Sequence, residues 1–223
     1  MLVAYSRVRE PRSFRTNNRQ VPVVAMLKYD EPKILDELGA LPNFARVAFA
    51  AACAERQMAD YARVATDLDT FKSVASALDC IWNELLGVPT RDETLTRHLS
   101  ECMSALPQPE SPEGQDTDAI TSTAYAIRAR LTGVIQEAAW AARHAFDNLY
   151  FYLTDPIPSK EFTPEAEQRV LAHPLIQAEL QRQRQDLSDL TELVRDKGNV
   201  ISTILRLRAR ANEAAQRFTG PPT

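Results

Sequence analysis

Glycine is scarce in this chain, six in 223 residues, and aromatic residues make up only 7% of it. Alanine is abundant and β-branched or aromatic residues rarely alternate, so the period-2 pattern of a sheet is missing and helix is favoured almost everywhere. Cysteine is sparse too. Cys53, Cys80 and Cys102 sit at unrelated spacings inside helical runs, which suits buried free thiols of a reducing compartment better than a disulfide framework. No apolar run approaches the roughly 20 residues that cross a bilayer, and the N-terminus has no continuous hydrophobic signal core. The expectation is an all-α, cytoplasmic protein with no membrane contact. At this length one core is the default: a single-domain bundle of about seven to nine helices over residues 28–223, with a long C-terminal helix.

Catalytic signatures are equally thin. There is no glycine-rich phosphate loop, no G-x-S-x-G elbow and no H-E-x-x-H. His98 and Cys102 lie four apart on one helical face, but a soft-metal site wants three or four ligands and nothing nearby completes one. His144 and His98 are preceded at three residues by Ala141 and Leu95, so the Glu-x-x-His pairs of diiron bundles are excluded. No metal and no other cofactor is expected.

Charge is unevenly spread. Residues 1–27 carry five arginines against Glu10, a net +4, so the chain total of −4 leaves −8 on the rest. An acidic body repels phosphate backbones, which argues against nucleic acid as a partner. The basic segment contains Pro11 and Pro22, lacks helical periodicity, and reads as a disordered arm or a mis-assigned start.

The chain is organised around residues 43–86. From Phe44 to Ala54 only Arg46 is charged, the mark of a helix surrounded by protein. Phe71, Val74, Ala75, Leu78, Ile81, Trp82 and Leu85 then follow the i, i+3, i+4, i+7 rule. Before this stretch, Asp30 and Pro32 open a short helix that Gly39 stops. Pro42 starts the central helix, with a bend or break expected at Met58 to Asp60. Asp69 and Thr70 are the expected caps of the next helix, which ends at Gly87. Thr90 with Glu93 forms a capping box, and residues 107–118 form a loop. Helices are expected over Ile120–Leu131 and Val134–Leu153, then a short one from Thr163 to His173. Leu180, Leu187, Val194 and Ile201 recur every seven residues, predicting one long helix from Pro174 to about Phe218 despite Gly198.

Within this framework a polar set stands out: Glu55, Arg56, Tyr61 and Asp79, with Trp82 nearby. Charges beside so apolar a surface need partners, and Arg56 is expected to pair with Asp79 or Glu55. The set reads first as a lock on helix register and second as a binding cleft. Tyr150, Phe151 and Tyr152 read as core with one residue at the rim, or as a patch facing a partner. Arg206, Arg208, Arg210 and Arg217 read as a solvated face.

LPNFARVAFAAACAERQMADYA followed by LDCIWNELL resembles the YjaG-like family of uncharacterised bacterial proteins. In that family a helix with a Glu-Arg pair, and a Tyr five residues after the Arg, precedes a helix ending in Leu-Asp-x-Ile-Trp. The corresponding residues are Glu55, Arg56, Tyr61, Leu78, Asp79, Ile81 and Trp82. The likeness continues through RLTG at 130–133, FTPEAEQRVLAHP and the last helix, leaving out the basic arm. Ala59 stands where the family pattern has a helix-breaking proline. The resemblance implies a small all-α bacterial cytosolic protein and carries no reaction with it. The function expected is therefore that of a non-catalytic protein–protein interaction module, an adaptor or an immunity-type neutraliser, able to form a homo-oligomer. The alternative is an enzyme or small-ligand binder with an interhelical site around Glu55, Arg56, Tyr61 and Asp79.

Overall fold

A computed structural model describes residues 26–65, 67–106 and 115–217. Nearly all of the basic arm lies outside the described residues, but its last residue, Leu27, is held on both sides by one side chain. Leu27 donates its N–H to Gln177 Oε1 at 2.8 Å, and Gln177 Nε2 donates to the Leu27 carbonyl at 2.9 Å.

The described residues form one all-α domain of nine α-helices and a 3-10 turn at Ser159–Glu161, with no strand among them. The helices are α1 (Glu31–Gly39), α2 (Asn43–Val64), α3 (Leu68–Leu85), α4 (Asp92–Ala105), α5 (Gln115–Thr132), α6 (Ile135–Thr154), α7 (Pro164–Leu171), α8 (Pro174–Asp196) and α9 (Val200–Arg217). Helix α2 is central and packs against α3, α5, α6, α8 and α9. Every residue from Val47 to Ala54 is buried. The facing surfaces are alanine-rich as well: Ala119, Ala124, Ala126 and Ala129 on α5, and Ala138, Ala139, Ala141, Ala142 and Ala145 on α6. Small side chains bring helix axes to the short end of the usual spacing, so burial here comes from close backbone approach as much as from bulky groups. Phe49 and Trp82 supply the bulk. Arg46, the one charge in the apolar run of α2, spends its guanidinium on carbonyls at two helix ends, those of Leu38 at 2.9 Å, Gly39 at 3.3 Å and Gly133 at 3.4 Å. Such terminal carbonyls have no partner within their own helix.

Several boundaries depart from the sequence reading. Helix α2 runs without a break through Met58–Asp60; that segment has no proline or glycine to force one, and Asp60 pairs with Arg63 within the continuous helix. The cap of α3 is Asp67, which accepts from Asp69 N at 2.9 Å and Thr70 Oγ1 at 2.6 Å. Thr90 does not cap α4, whose N-cap is Arg91; its hydroxyl donates to the Cys80 carbonyl at 3.5 Å. Asp30 and Thr163 do cap, accepting from Lys33 N and Ala166 N. Helix α5 begins at Gln115, inside the expected loop, and residues 107–114 lie outside the described ones.

The expected single C-terminal helix is two. Lys197 takes a left-handed conformation, φ 49°, ending α8, and Asn199 Oδ1 accepts from Ser202 N at 3.0 Å to open α9. The heptad phase fails at the same point: Leu180 and Leu187 are buried, whereas Val194 and Ile201 are exposed, and α9 instead buries Ile204, Leu207 and Ala211. Asp189 is paired with Arg206, and Asp186 with Arg210, so α8 and α9 form an antiparallel helical hairpin. Tyr150 stacks on Phe146 beside Ile176 and Leu180 in a second, smaller core cluster, while Phe151 is exposed.

Candidate functional site

Glu55 and Arg56 are neighbours on α2, and successive helical residues point about 100° apart. They therefore meet different helices. Arg56 turns to α8, where its Nε lies 3.1 and 2.9 Å from the two oxygens of Glu179 and its Nη1 donates to Asp186 Oδ2 at 2.7 Å. Its Nη2 donates to Cys53 Sγ at 3.2 Å. Burial opposes the Arg56 charge, but Glu179, Cys53 and Asp186 outweigh it and its pKa rises above the ordinary guanidinium value. The other oxygen of Asp186 accepts from Arg210 Nε at 3.0 Å, and Arg210 Nη1 donates to Asp189 Oδ2 at 2.9 Å. A ladder of alternating charge, Glu179, Arg56, Asp186, Arg210, Asp189, thus joins α2, α8 and α9. Each guanidinium has a carboxylate at hydrogen-bond distance, which is the condition under which buried ions are tolerated.

Glu55 turns the other way and accepts from Trp82 Nε1 at 2.7 Å. Burial raises its pKa, against the hydrogen bond from Trp82 and the charge of Arg208. Arg208 lies over the Trp82 ring at 5.7 Å and pairs with Asp79, whose side chain is exposed. Tyr61 is buried, its ring 5.6 Å from Phe71. The five residues singled out in the sequence therefore do not form one cluster. Glu55, Trp82 and Asp79 belong to a seam between α2, α3 and α9, Tyr61 to the α2–α3 contact, and Arg56 to the α8 side. Neither expected pairing of Arg56, with Asp79 or with Glu55, is made. Nor are Arg208 and Arg210 a solvated face, since each is used in one of these contacts.

Sequence reasoning missed Glu179, Gln183 and Asp186, which α8 carries at i, i+4 and i+7 beside the apolar row of Ile176, Leu180 and Leu187, all of them buried. Polar residues holding core spacing were the available signal. His98, read beside Cys102, turns its ring toward Cys80 and Glu101.

Two concavities adjoin this framework. One, of about 60 Å³, is lined by Arg56, Gln57, Asp60, Asn148, Glu179 and Arg182, with apolar walls from Leu149 and Leu175. Gln57 donates to Ser122 Oγ at 2.7 Å and to the Cys53 carbonyl at 3.2 Å, but its buried Oε1 has no hydrogen-bond partner. The other is a shallow groove of about 290 Å³ at the far end of α2, lined by Phe44, Val47, Ile81, Glu84, Leu85, Arg130 and Val200. Phe44 and Val200 are 38% and 40% exposed there. Glu84 pairs with Arg130 through Oε1, while its Oε2 is buried without a hydrogen-bond partner.

No curated protein matches the chain. A solved structure of a DUF416 family protein from Shewanella baltica OS155 superposes with a TM-score of 0.65 at 17% identity, covering 80% of this chain and 93% of that one, a likeness of fold. Residues 33–216 match the family model described as "Protein of unknown function (DUF416)", and the chain accordingly belongs to the DUF416 family.

Proposed function

We propose that this protein is a non-catalytic protein-binding module of the bacterial cytosol, an adaptor or a neutraliser of a basic partner. Within its family we place it with the YjaG-like proteins, on the Glu55–Arg56, Tyr61 and Leu78–Asp79–Ile81–Trp82 pattern. The observation that carries the functional reading is the groove between Phe44, Leu85 and Val200. It combines exposed apolar walls with one carboxylate oxygen, Glu84 Oε2, that is buried and has no hydrogen-bond partner. A partner segment that inserts an apolar side chain covers the walls, and an N–H or ammonium donor on it satisfies the second Glu84 oxygen once that side chain turns toward the groove. The −8 carried by residues 28–223 favours a basic partner at long range. A photo-reactive amino acid at Val200, introduced in the native host, is expected to trap a defined partner, and Leu85→Glu is expected to abolish the product while leaving the helical circular dichroism intact. Equal trapping from a probe at Ser188, on the exposed side of α8, overturns the reading.

A second reading, a small-ligand site, rests on Gln57 Oε1 beside the cavity at Arg56. Native mass spectrometry of the protein from its host separates the two. A fixed small mass increment that Gln57→Leu removes favours the ligand site; the bare chain mass counts against it.

A further inference from the structure

Between α3 and α4 lies a line of side chains that neither reading above uses. Cys80 Sγ is 3.6 Å from His98 Nε2, and His98 Nδ1 is 3.1 Å from Glu101 Oε2. Glu101 is itself held by Ser73 Oγ, which donates to the same oxygen at 2.7 Å, and by Arg97, which donates to Oε1 at 2.9 Å. The hydrogen bond from Ser73, then those from His98 and the charge of Arg97, keep the Glu101 carboxyl below its ordinary pKa, so it is an ionised acceptor. An ionised carboxylate can only accept, so Nδ1 carries the ring proton and Nε2 of the neutral ring presents a lone pair to the thiol. This is the order of parts in a nucleophile, base and orienting carboxylate relay. His98 is buried, which fixes the ring, while Cys80 is partly exposed; Cys53 and Cys102 are wholly enclosed. The charged groups acting on the pair are Asp79 from α3 and Arg97 and Glu101 from α4. Burial, with Asp79 adding to it, raises the Cys80 pKa, so the resting sulfur is a thiol that needs a base at the moment of attack.

We propose that Cys80 is a site of reversible S-thiolation by low-molecular-weight disulfides, with His98 as its general base and Glu101 as the positioning residue. The Cys80 proton passes to His98 Nε2 as the sulfur attacks one sulfur of R–S–S–R. The old S–S bond breaks, Cys80–S–S–R forms, and the released thiolate takes the proton from His98 to leave as R–SH. Cys80 is oxidised and the disulfide reduced, so no further reactant is required.

The test is labelling of the native full chain with 5,5′-dithiobis(2-nitrobenzoate), followed by the absorbance of the released thiolate and by peptide mass. One adduct, on Cys80, is expected, and Cys80→Ser removes it. The rate in the unaltered chain is expected to reach a plateau before the thiol's own alkaline titration begins. His98→Gln is expected to slow labelling about 100-fold at pH 7 and to restore a dependence on the thiol's own alkaline titration. Labelling of Cys53 or Cys102 ahead of Cys80 overturns the proposal. So does a rate in the unaltered chain that climbs about tenfold per pH unit through pH 9, a measurement that stands even where His98→Gln fails to fold.

Discussion

Arg56 on α2 and Asp186 on α8, 130 positions apart in sequence, meet at 2.7 Å with both side chains almost wholly withdrawn from water. Removing either one unbalances the buried ladder: without Asp186, Arg56 keeps only Glu179 as a counter-ion, and without Arg56, Asp186 keeps only Arg210 while Glu179 loses its buried guanidinium. Breaking a buried pair in this way costs about 3–5 kcal/mol out of the roughly 5–15 kcal/mol that holds a domain together. Asp186→Ala is expected to lose that much in urea denaturation, since it also leaves Arg210 with Asp189 alone. Arg56→Met is expected to be similarly severe, and the double change Arg56→Met with Asp186→Leu to recover part of the loss. Additive penalties would show the two to be uncoupled.

Asp79, the partner that the sequence suggested for Arg56, behaves differently. Its side chain is 59% exposed and its ion pair is with Arg208 at the surface. Asp79→Ala is therefore expected to change stability by less than about 1 kcal/mol, read as a small shift in thermal midpoint. A loss as large as that of Asp186→Ala would restore Asp79 to the buried lock.

Glu55 sets a pH dependence whose sign follows from its environment. Burial raises its pKa in the folded state above the ordinary value of 4.5, with Asp79 adding to the shift and Trp82 and Arg208 opposing it. The native state then binds the Glu55 proton more tightly than the unfolded chain does. Stability from this group is present at low pH and falls as pH rises from the unfolded carboxyl range through the folded pKa. Glu55→Gln keeps an oxygen to accept from Trp82 Nε1 and has no charge to desolvate. Urea midpoints from pH 4 to 7 are expected to show the variant gaining on the parent as pH rises; a constant difference between the two contradicts the assignment.

The turn between α8 and α9 offers a stabilising change. Lys197 is exposed and is the one non-glycine with positive φ among the described residues. Glycine there removes the steric penalty of the left-handed region and adds some unfolded-state entropy, for a net gain of about 0.5–1 kcal/mol. Lys197→Gly should raise the thermal midpoint and Lys197→Val should lower it. Equal midpoints for the two would mean that the backbone at this position is not held left-handed in solution.

Composition alone announced the all-α class, and the unbroken apolar run from Val47 to Ala54 marked α2 as the centre, because helix propensity and burial are local properties of those residues. The caps at Asp30 and Thr163 were legible for the same reason. The partners of Arg56 were not. Glu55 and Asp79 were close in sequence and offered the right charge, but which acid meets Arg56 depends on where α8 passes, more than 120 residues later in the chain. The break at Lys197 was not legible because apolar residues keep a seven-residue spacing in sequence across it, at Leu187, Val194 and Ile201, although the last two are exposed, and because a non-glycine residue takes the left-handed position. The Cys80–His98–Glu101 line was hidden because its members come from two helices, and because His98 has a sulfur-bearing neighbour closer in sequence, Cys102.

The ladder from Glu179 to Asp189 also has a bearing on synthesis. A ribosome delivers Arg56 long before its counter-ions, and at about 5–20 residues per second the 130-residue separation from Asp186 amounts to roughly 7–26 s. For nearly all of that interval, until Glu179 is made seven residues ahead of Asp186, the α2 surface that α8 and α9 will cover carries a guanidinium with neither acid in place. Closure of the domain is thus a late event, gated by emergence of the α8–α9 hairpin, and the incomplete chain is at its most vulnerable to proteases and chaperone capture just before residues 174–217 arrive.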